Sequence, residues 1–364
     1  GKDTMRSTTT QSENTAVGTN ALNANTGGCN TGVGASALEN ATGSNNTAFG
    51  RRALYLNTSG GCNVAVGKQA LEANTTASKN SGLGTCALAK NTTGSENVAM
   101  GFLSSGCNTE GNNNSSLGVQ ALRTNTTGDN NVAIGSYALC ANTTASNNTA
   151  VGFCSLVANT TANSNTAVGR SALQSNTEGC QNVGLGNNAM ETNTTGDNNV
   201  SVGYSSLQNS TTSSNNTSVG MESMFLNTTG ANNTAMGLCS LRANTTASNN
   251  TAVGVSALFS NTTGEVNTAV GSASMFTNTT GYGNTAVGKN SLYTNNGNNN
   301  TAVGHEALEL NTTGASNTAV GRESLTANTT GASNIALGYR SLSFNTTGCQ
   351  NVTIGAEAMR LNTT

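Results

Sequence analysis

The side chains able to do chemistry in this chain of 364 residues are few and scattered. The one histidine, His305, precedes Glu306 on a variable position just after a repeated glycine, in the phase also held by Arg51, Lys68, Arg170, Lys289 and Arg322. That phase reads as solvated surface, so His305 is expected to be neither a base nor a ligand. Aspartate occurs only at Asp3, Asp129 and Asp197, whereas a calcium-binding glycine/aspartate roll needs one in every turn. No metal site and no cofactor is expected. The nine cysteines make neither a zinc pattern nor an even disulfide framework. Cys29, Cys62, Cys180 and Cys349 share one phase and Cys86, Cys154 and Cys239 another, but stacked coils would hold them beyond the roughly 7 Å between Cα atoms that a disulfide tolerates. Cys140 and Cys154 are offset in phase. The thiols therefore read as small buried or half-buried side chains, with links between chains as the sharper alternative. Acid–base and nucleophilic catalysis need convergent titratable groups, and none is in view, so the chain is read as not an enzyme.

Glycosylation triplets are the one abundant chemical motif. Asn74, Asn91, Asn125, Asn142, Asn244, Asn261 and Asn328 each open an N-T-T triplet, and Asn249 opens an N-N-T triplet. In a secretory pathway these turns are candidate glycan acceptors. N-T-T is equally a structural turn, and on that reading the triplet serves geometry alone.

What must position these residues is a repeat. A-V-G and its variants recur with glycine at 18, 34, 50, 67 and onward to 355, at intervals of seventeen with three of sixteen. The unit N-T-A-V-G-x-x-A-L-x-x-N-T-T-G-x-x runs from about Asn14 to the end. With 4% aromatic residues, 8% charged, no Pro and no Trp, the chain is too poor in apolar side chains for ordinary domains. Stacked coils that pair backbone with backbone can do with a thin core. The expected fold is all-β, a parallel β-solenoid of the β-roll or β-helix kind, with about twenty-one coils of seventeen residues. Residues 1–13 read as a leader or linker and 14–364 as the repeat domain. The chain starts without Met and stops at Asn362-Thr363-Thr364 within a repeat, which reads as a processed or truncated product.

Period-two alternation ahead of each glycine marks a short strand. Val17, Phe49, Leu83, Met100 and Ile134 are expected to face the coil interior, with the small residues between them (Ala16, Gly32, Ala65, Ser116, Ala302) facing outward against something that approaches closely. Leu or Met four residues after the glycine, with Ser105 the departure, closes the core from the opposite wall, and a second alternating segment follows. Two short strands and two turns per coil are expected. The Asn four residues before each glycine (Asn14, Asn30, Asn46, Asn63, Asn80, Asn97, Asn131, Asn148, Asn165, Asn182, Asn233, Asn250, Asn334, Asn351) predicts an amide ladder. At about 4.8 Å per coil the stack would reach on the order of 100 Å. The small outward residues imply a homo-oligomer, three parallel chains about one axis, or a filament, the alternative being that they fit tight corners of a monomeric coil.

N-T-A-V-G and Asn131-Val-Ala-Ile-Gly135 resemble the N-S-V-A-I-G repeats in the heads of trimeric autotransporter adhesins, which are left-handed β-rolls that trimerise. The fuller unit, as in Asn311 to Gly321, is similar to repeat arrays of bacterial and viral tail-fibre-like proteins. The likeness spans nearly the whole chain, but the unit is longer than the adhesin head repeat. It implies a left-handed trimer with an adhesive role.

A net charge of −2 gives no basic footprint for nucleic acid or anionic membrane, and no apolar run is long enough to span a bilayer. The expected function is a structural fibre shaft, extracellular, on a cell surface or on a virion, that projects or spaces an adhesive tip toward a cell-surface or glycan receptor. The alternative is a surface-binding solenoid, an adhesin head or an ice-binding-like Thr array. Against ice binding, adjacent Thr residues of N-T-T face opposite sides, and the strand Thr that alternates with Val reads as inward.

Overall fold

The structure, a computed structural model, describes residues 1–6 and 12–363. They form an all-β parallel solenoid of twenty-one coils, each giving one three-residue strand, with no helix among the described residues. The coils fall into two compact units, Gly1–Gln181 and Asn182–Thr364. The first holds ten strands, from β1 (Thr15–Val17) to β10 (Thr166–Val168), and the second eleven, from β11 (Val183–Leu185) to β21 (Val352–Ile354). Parallel neighbours cannot be joined by a tight hairpin and need a connection of roughly a dozen residues or more. The fourteen residues from Gly254 to Asn267 meet that need between one strand and the next.

Inside each unit, like lies over like. Thr31, Gly32 and Val33 pair with Thr47, Ala48 and Phe49 in the first, and Thr251, Ala252 and Val253 with Thr268, Ala269 and Val270 in the second. The shorter coils keep this register because the missing residue comes from the N-T-T-G corner. In two of the three, Asn25-Thr26-Gly27 and Asn295-Asn296-Gly297 replace the usual four residues and the Asn side chain still reaches the corner carbonyl, and in the third, Ala41-Thr42-Gly43 leaves that carbonyl to Asn30 Nδ2.

The strand faces the opposite way from the expectation. Its central small residue is the buried one: Ala48, Ala65, Ala99, Ala252 and Ala302 are fully buried, while Val17 and Phe49 are 58% and 57% exposed. The physical reason is the thinness of the coil. A Cβ on Gly32 would stand 3.2 Å from Leu22 Cγ, so the Leu four residues after the glycine fills the interior and leaves room opposite it for little more than a methyl group. Leu22, Leu54, Leu88 and Leu139 in the first unit, and Leu241, Leu258, Met275 and Leu325 in the second, are fully buried. Where Ser105 replaces that Leu, Ser116 replaces the facing Ala. The Oγ atoms of Ser104 and Ser105 lie 2.7 and 2.8 Å from that of Ser116, which satisfies the buried hydroxyls.

The second expected strand is absent. Leu22 and Leu258 have φ of 51° and 50°, in the left-handed region that bulky residues seldom occupy, so the segment is a turn although its amides still bond the next coil, as Leu22 N donates to Ala37 O. The repeated glycine is needed at its own corner: Gly254 has φ 131°, and a Cβ there would meet Gly271 carbonyl atoms at 2.7 Å.

Residues 1–6 pack as part of a coil. Gly1 lies seventeen positions before Gly18, Met5 takes the Leu phase and packs on the core, Met5 N donates to Ala21 O, and Asn20 N donates to Lys2 O. The rest of the expected leader, 7–11, lies outside the described residues.

Candidate functional site

Among the described residues the features that repeat are columns. Four matter: two buried asparagine ladders, an outward aliphatic strip, and a line of exposed corner asparagines.

The first ladder is the predicted one. Asn80 Oδ1 accepts the backbone N–H of Asn97 at 2.9 Å, and Asn80 Nδ2 donates to the corner carbonyl of Gly94 at 2.9 Å. In the second unit Asn250 Oδ1 accepts from Asn267 N at 2.9 Å and its Nδ2 donates to Gly264 O at 3.0 Å. The same donation to a corner carbonyl is made by Asn14, Asn30, Asn46, Asn63, Asn97, Asn131, Asn148, Asn165, Asn182, Asn233 and Asn334. Asn351 donates to Asn334 Oδ1 instead.

The second ladder is formed by the N-T-T asparagines. Asn74 Nδ2 donates to Asn57 Oδ1 at 2.7 Å and to Ala77 O at 2.9 Å. Asn91, Asn125, Asn142, Asn244, Asn261 and Asn328 repeat the pair of bonds, and all seven are fully buried. Both Nδ2 hydrogens are committed and no solvent reaches them, so a sugar on any of these seven is incompatible with the fold. Their reading as glycan acceptors is corrected: the triplet is the structural turn. The first Thr of the triplet reinforces the stack, as Thr75 Oγ1 donates to Thr92 O at 3.0 Å.

The outward strip follows from the reversed strand. Met100, Leu117 and Ile134 in the first unit and Met236, Val270 and Val303 in the second stand exposed at one register. In the middle coils the residue after the glycine widens the strip: Phe102, Val119 and Phe153 in the first unit, and Tyr204, Met221, Leu238 and Val255 in the second. Between and beyond them that phase is mostly small or polar, as at Arg51, Lys68, Ser136, Arg170, Asn187, Lys289, His305 and Arg322. The strand Thr also faces outward, half-buried, in every coil from Thr217 to Thr318.

Sequence reasoning missed an aromatic column in the second unit. Phe259, Phe276 and Tyr293, each five residues after a repeated glycine, stack with centroids 5.0 and 5.2 Å apart, and the Arg242 guanidinium lies over Phe225 and Phe259. Their shared phase was readable, but these ring faces are spent on one another.

His305 Nε2 is 3.6 Å from Glu306. A groove beside it, lined by Glu306, Leu310, Glu323, Arg340 and Phe344 among others, holds Glu323 between Arg322 and Arg340, which depress its carboxyl below the usual range. Burial, with Glu306 nearby, raises that of Glu309. None of the nine cysteines is in a disulfide, and burial raises the thiols of Cys140, Cys154 and Cys239, which disfavours the nucleophilic thiolate. Among the described residues no group of three or more His, Cys, Asp or Glu could hold a metal ion, and no helix is long and apolar enough to cross a membrane. Compared with protein-family models and with curated proteins, the sequence matches neither.

Proposed function

We propose that the chain is a non-catalytic structural solenoid that works as an extracellular or virion-borne fibre shaft, with copies packed side by side along their outward aliphatic strips. The observation that carries this reading is the strip itself. Ten coils at about 4.8 Å, with a face about 13 Å wide, present roughly 600 Å² per unit, or about 1,200 Å² when two copies meet, which reaches the range of specific interfaces. An exposed aliphatic column repeated from coil to coil is the kind of rimmed apolar surface that marks an interaction site. The strip lies at one phase in every coil, so parallel copies in register would match aliphatic to aliphatic along its length. Left-handed winding, three chains and an adhesive tip directed at a cell-surface or glycan receptor complete the proposal, on the strength of the likeness to adhesin heads and tail-fibre repeats.

Sedimentation equilibrium is expected to give a multiple of the chain mass, three for the trimer, and electron microscopy to show elongated particles. Replacing Leu117 and Met236 by Lys is expected to release monomers that keep their β-sheet circular dichroism. A wild-type monomer would end the proposal.

A second reading gains from the reversed strand. The outward Thr of seven successive coils, Thr217 to Thr318, sits beside an outward Val or Met in each, a flat lattice of hydroxyl and methyl groups of the kind that orders water against ice. The sequence objection that this Thr points inward no longer applies. Thermal hysteresis in the wild type, lost in Thr268→Lys, would favour it over the shaft.

A further inference from the structure

Most of the glycosylation triplets fall into two contrasting groups, apart from exposed Asn40 (N-A-T), half-buried Asn209 (N-S-T) and the first-ladder residues Asn114, Asn199, Asn216 and Asn351. The N-T-T asparagines are buried in the second ladder, whereas Asn45, Asn113, Asn147, Asn215, Asn232, Asn249 and Asn299 each open an N-N-T or N-N-S triplet, stand exposed at one corner, and have φ between 56° and 62°. Their side-chain amides bond no group among the described residues, and the left-handed corner aims them away from the coil. One residue later the chain dives inward, for Asn250 is buried in the first ladder.

We propose that these corner asparagines are N-glycan acceptors, and that successive coils exclude one another as acceptors. In the transfer the amide Nδ2 attacks C1 of an oligosaccharide carried on a polyprenyl pyrophosphate. The C1–N bond forms, the C1–O bond to the pyrophosphate breaks, the lipid pyrophosphate leaves with the electron pair, and one amide proton passes to the transferase base. The product replaces a hydrogen that points into solvent, so no hydrogen bond of the fold is lost. On Asn244 the same product would displace the bond to Asn227 Oδ1 or to Ala247 O.

Asn215, Asn232 and Asn249 stand in three successive coils, about 4.8 Å apart along the stack. That interval is narrower than a branched glycan, so a sugar on Asn232 shuts out both neighbours, and a folded molecule carries Asn215 with Asn249 or Asn232 alone. The corner lies ahead of the strand and the widened apolar phase after it, so glycans would flank the proposed packing strip without covering its Phe, Tyr and Leu side.

The inference rests on the extracellular reading only for the compartment, and the test supplies the compartment itself. The full chain is expressed behind a cleavable secretory signal in insect cells, and the folded, secreted fraction is mapped by glycopeptide and intact mass spectrometry. The expected result is glycan on corner asparagines, none on Asn74, Asn91, Asn125, Asn142, Asn244, Asn261 or Asn328, and no molecule with glycans on both Asn232 and Asn249. Thr251→Ala, which leaves both asparagines in place, is expected to abolish the glycan on Asn249 and raise occupancy of Asn232. Bare corners, or glycan on N-T-T asparagines of folded protein, would overturn the assignment, and joint occupancy of Asn232 and Asn249 would overturn the exclusion. If nothing is secreted, the same map is made on the soluble intracellular pool with the same criteria. Where the native chain resides is decided separately, by fractionation of its source, so the acceptor pattern and the extracellular reading can fail independently.

Discussion

Asn249 and Asn250 are adjacent and chemically identical, yet one stands in solvent with no bond from its side chain and the other is buried with its amide bonded to two coils. Residue type therefore says little in this molecule, and phase within the coil says nearly everything. The same holds for Ala252 and Val253, where the smaller residue is inside and the larger outside.

The sharpest way to break the contrast is Asn250→Ala. It leaves Gly264 O short of one of its donors and Asn267 N without its acceptor, two backbone groups in a buried corner, at a cost of roughly 3–5 kcal/mol. Asn249→Gly, one position earlier, keeps the positive φ and is expected to change stability by less than about 0.5 kcal/mol. Urea unfolding of the two variants measures both.

A second pair tests the strand. Ala252→Leu forces three extra carbons against the facing Leu column and is expected to cost about 1–3 kcal/mol or more, whereas Val253→Thr, on the outer face, should stay within about 0.5 kcal/mol in the dissociated chain. Equal effects would return the large side chains to the interior.

The smallest effect concerns pH. Glu323 has a folded pKa below its unfolded one because Arg340 and Arg322 hydrogen-bond its charged form, so its contribution is complete above the unfolded value and is lost as pH falls through the folded one. Arg340→Ala is expected to lower stability slightly at neutral pH and to change nothing at the acid limit, where the wild type has already lost the same contribution, so that the acid end of the curve is flatter. Glu309, raised by burial and Glu306, acts with the opposite sign: its folded form favours the proton, and the small stability this gives is lost as pH rises through its folded pKa.

The coil, its period and its parallel stacking were legible from the glycine spacing and from the invariant Asn, since only superimposed turns need the same residue at the same phase. The facing of the strand was not. Alternation fixes which residues share a side but not which side is inside, and bulk was taken for burial. The deciding fact is tertiary: Leu22 crosses the coil and takes the space opposite Gly32. The left-handed Leu was equally hidden, because φ near 50° at a bulky residue contradicts its local preference and is imposed by the closure of the coil. The N-T-T asparagines were misread for a related reason: a triplet that satisfies a transferase also satisfies a corner carbonyl, and only the bonds of Asn74 and its counterparts tell the two apart.

The most direct test of like-on-like stacking with buried amides is a single charge placed at neighbouring positions, read as the urea midpoint of Asn249→Asp against Asn250→Asp. The account predicts a near wild-type midpoint for the first and loss of the cooperative fold, or a midpoint lowered by several kcal/mol equivalents, for the second, where a carboxylate would be buried facing the Gly264 carbonyl. Equal midpoints for the two variants would contradict it.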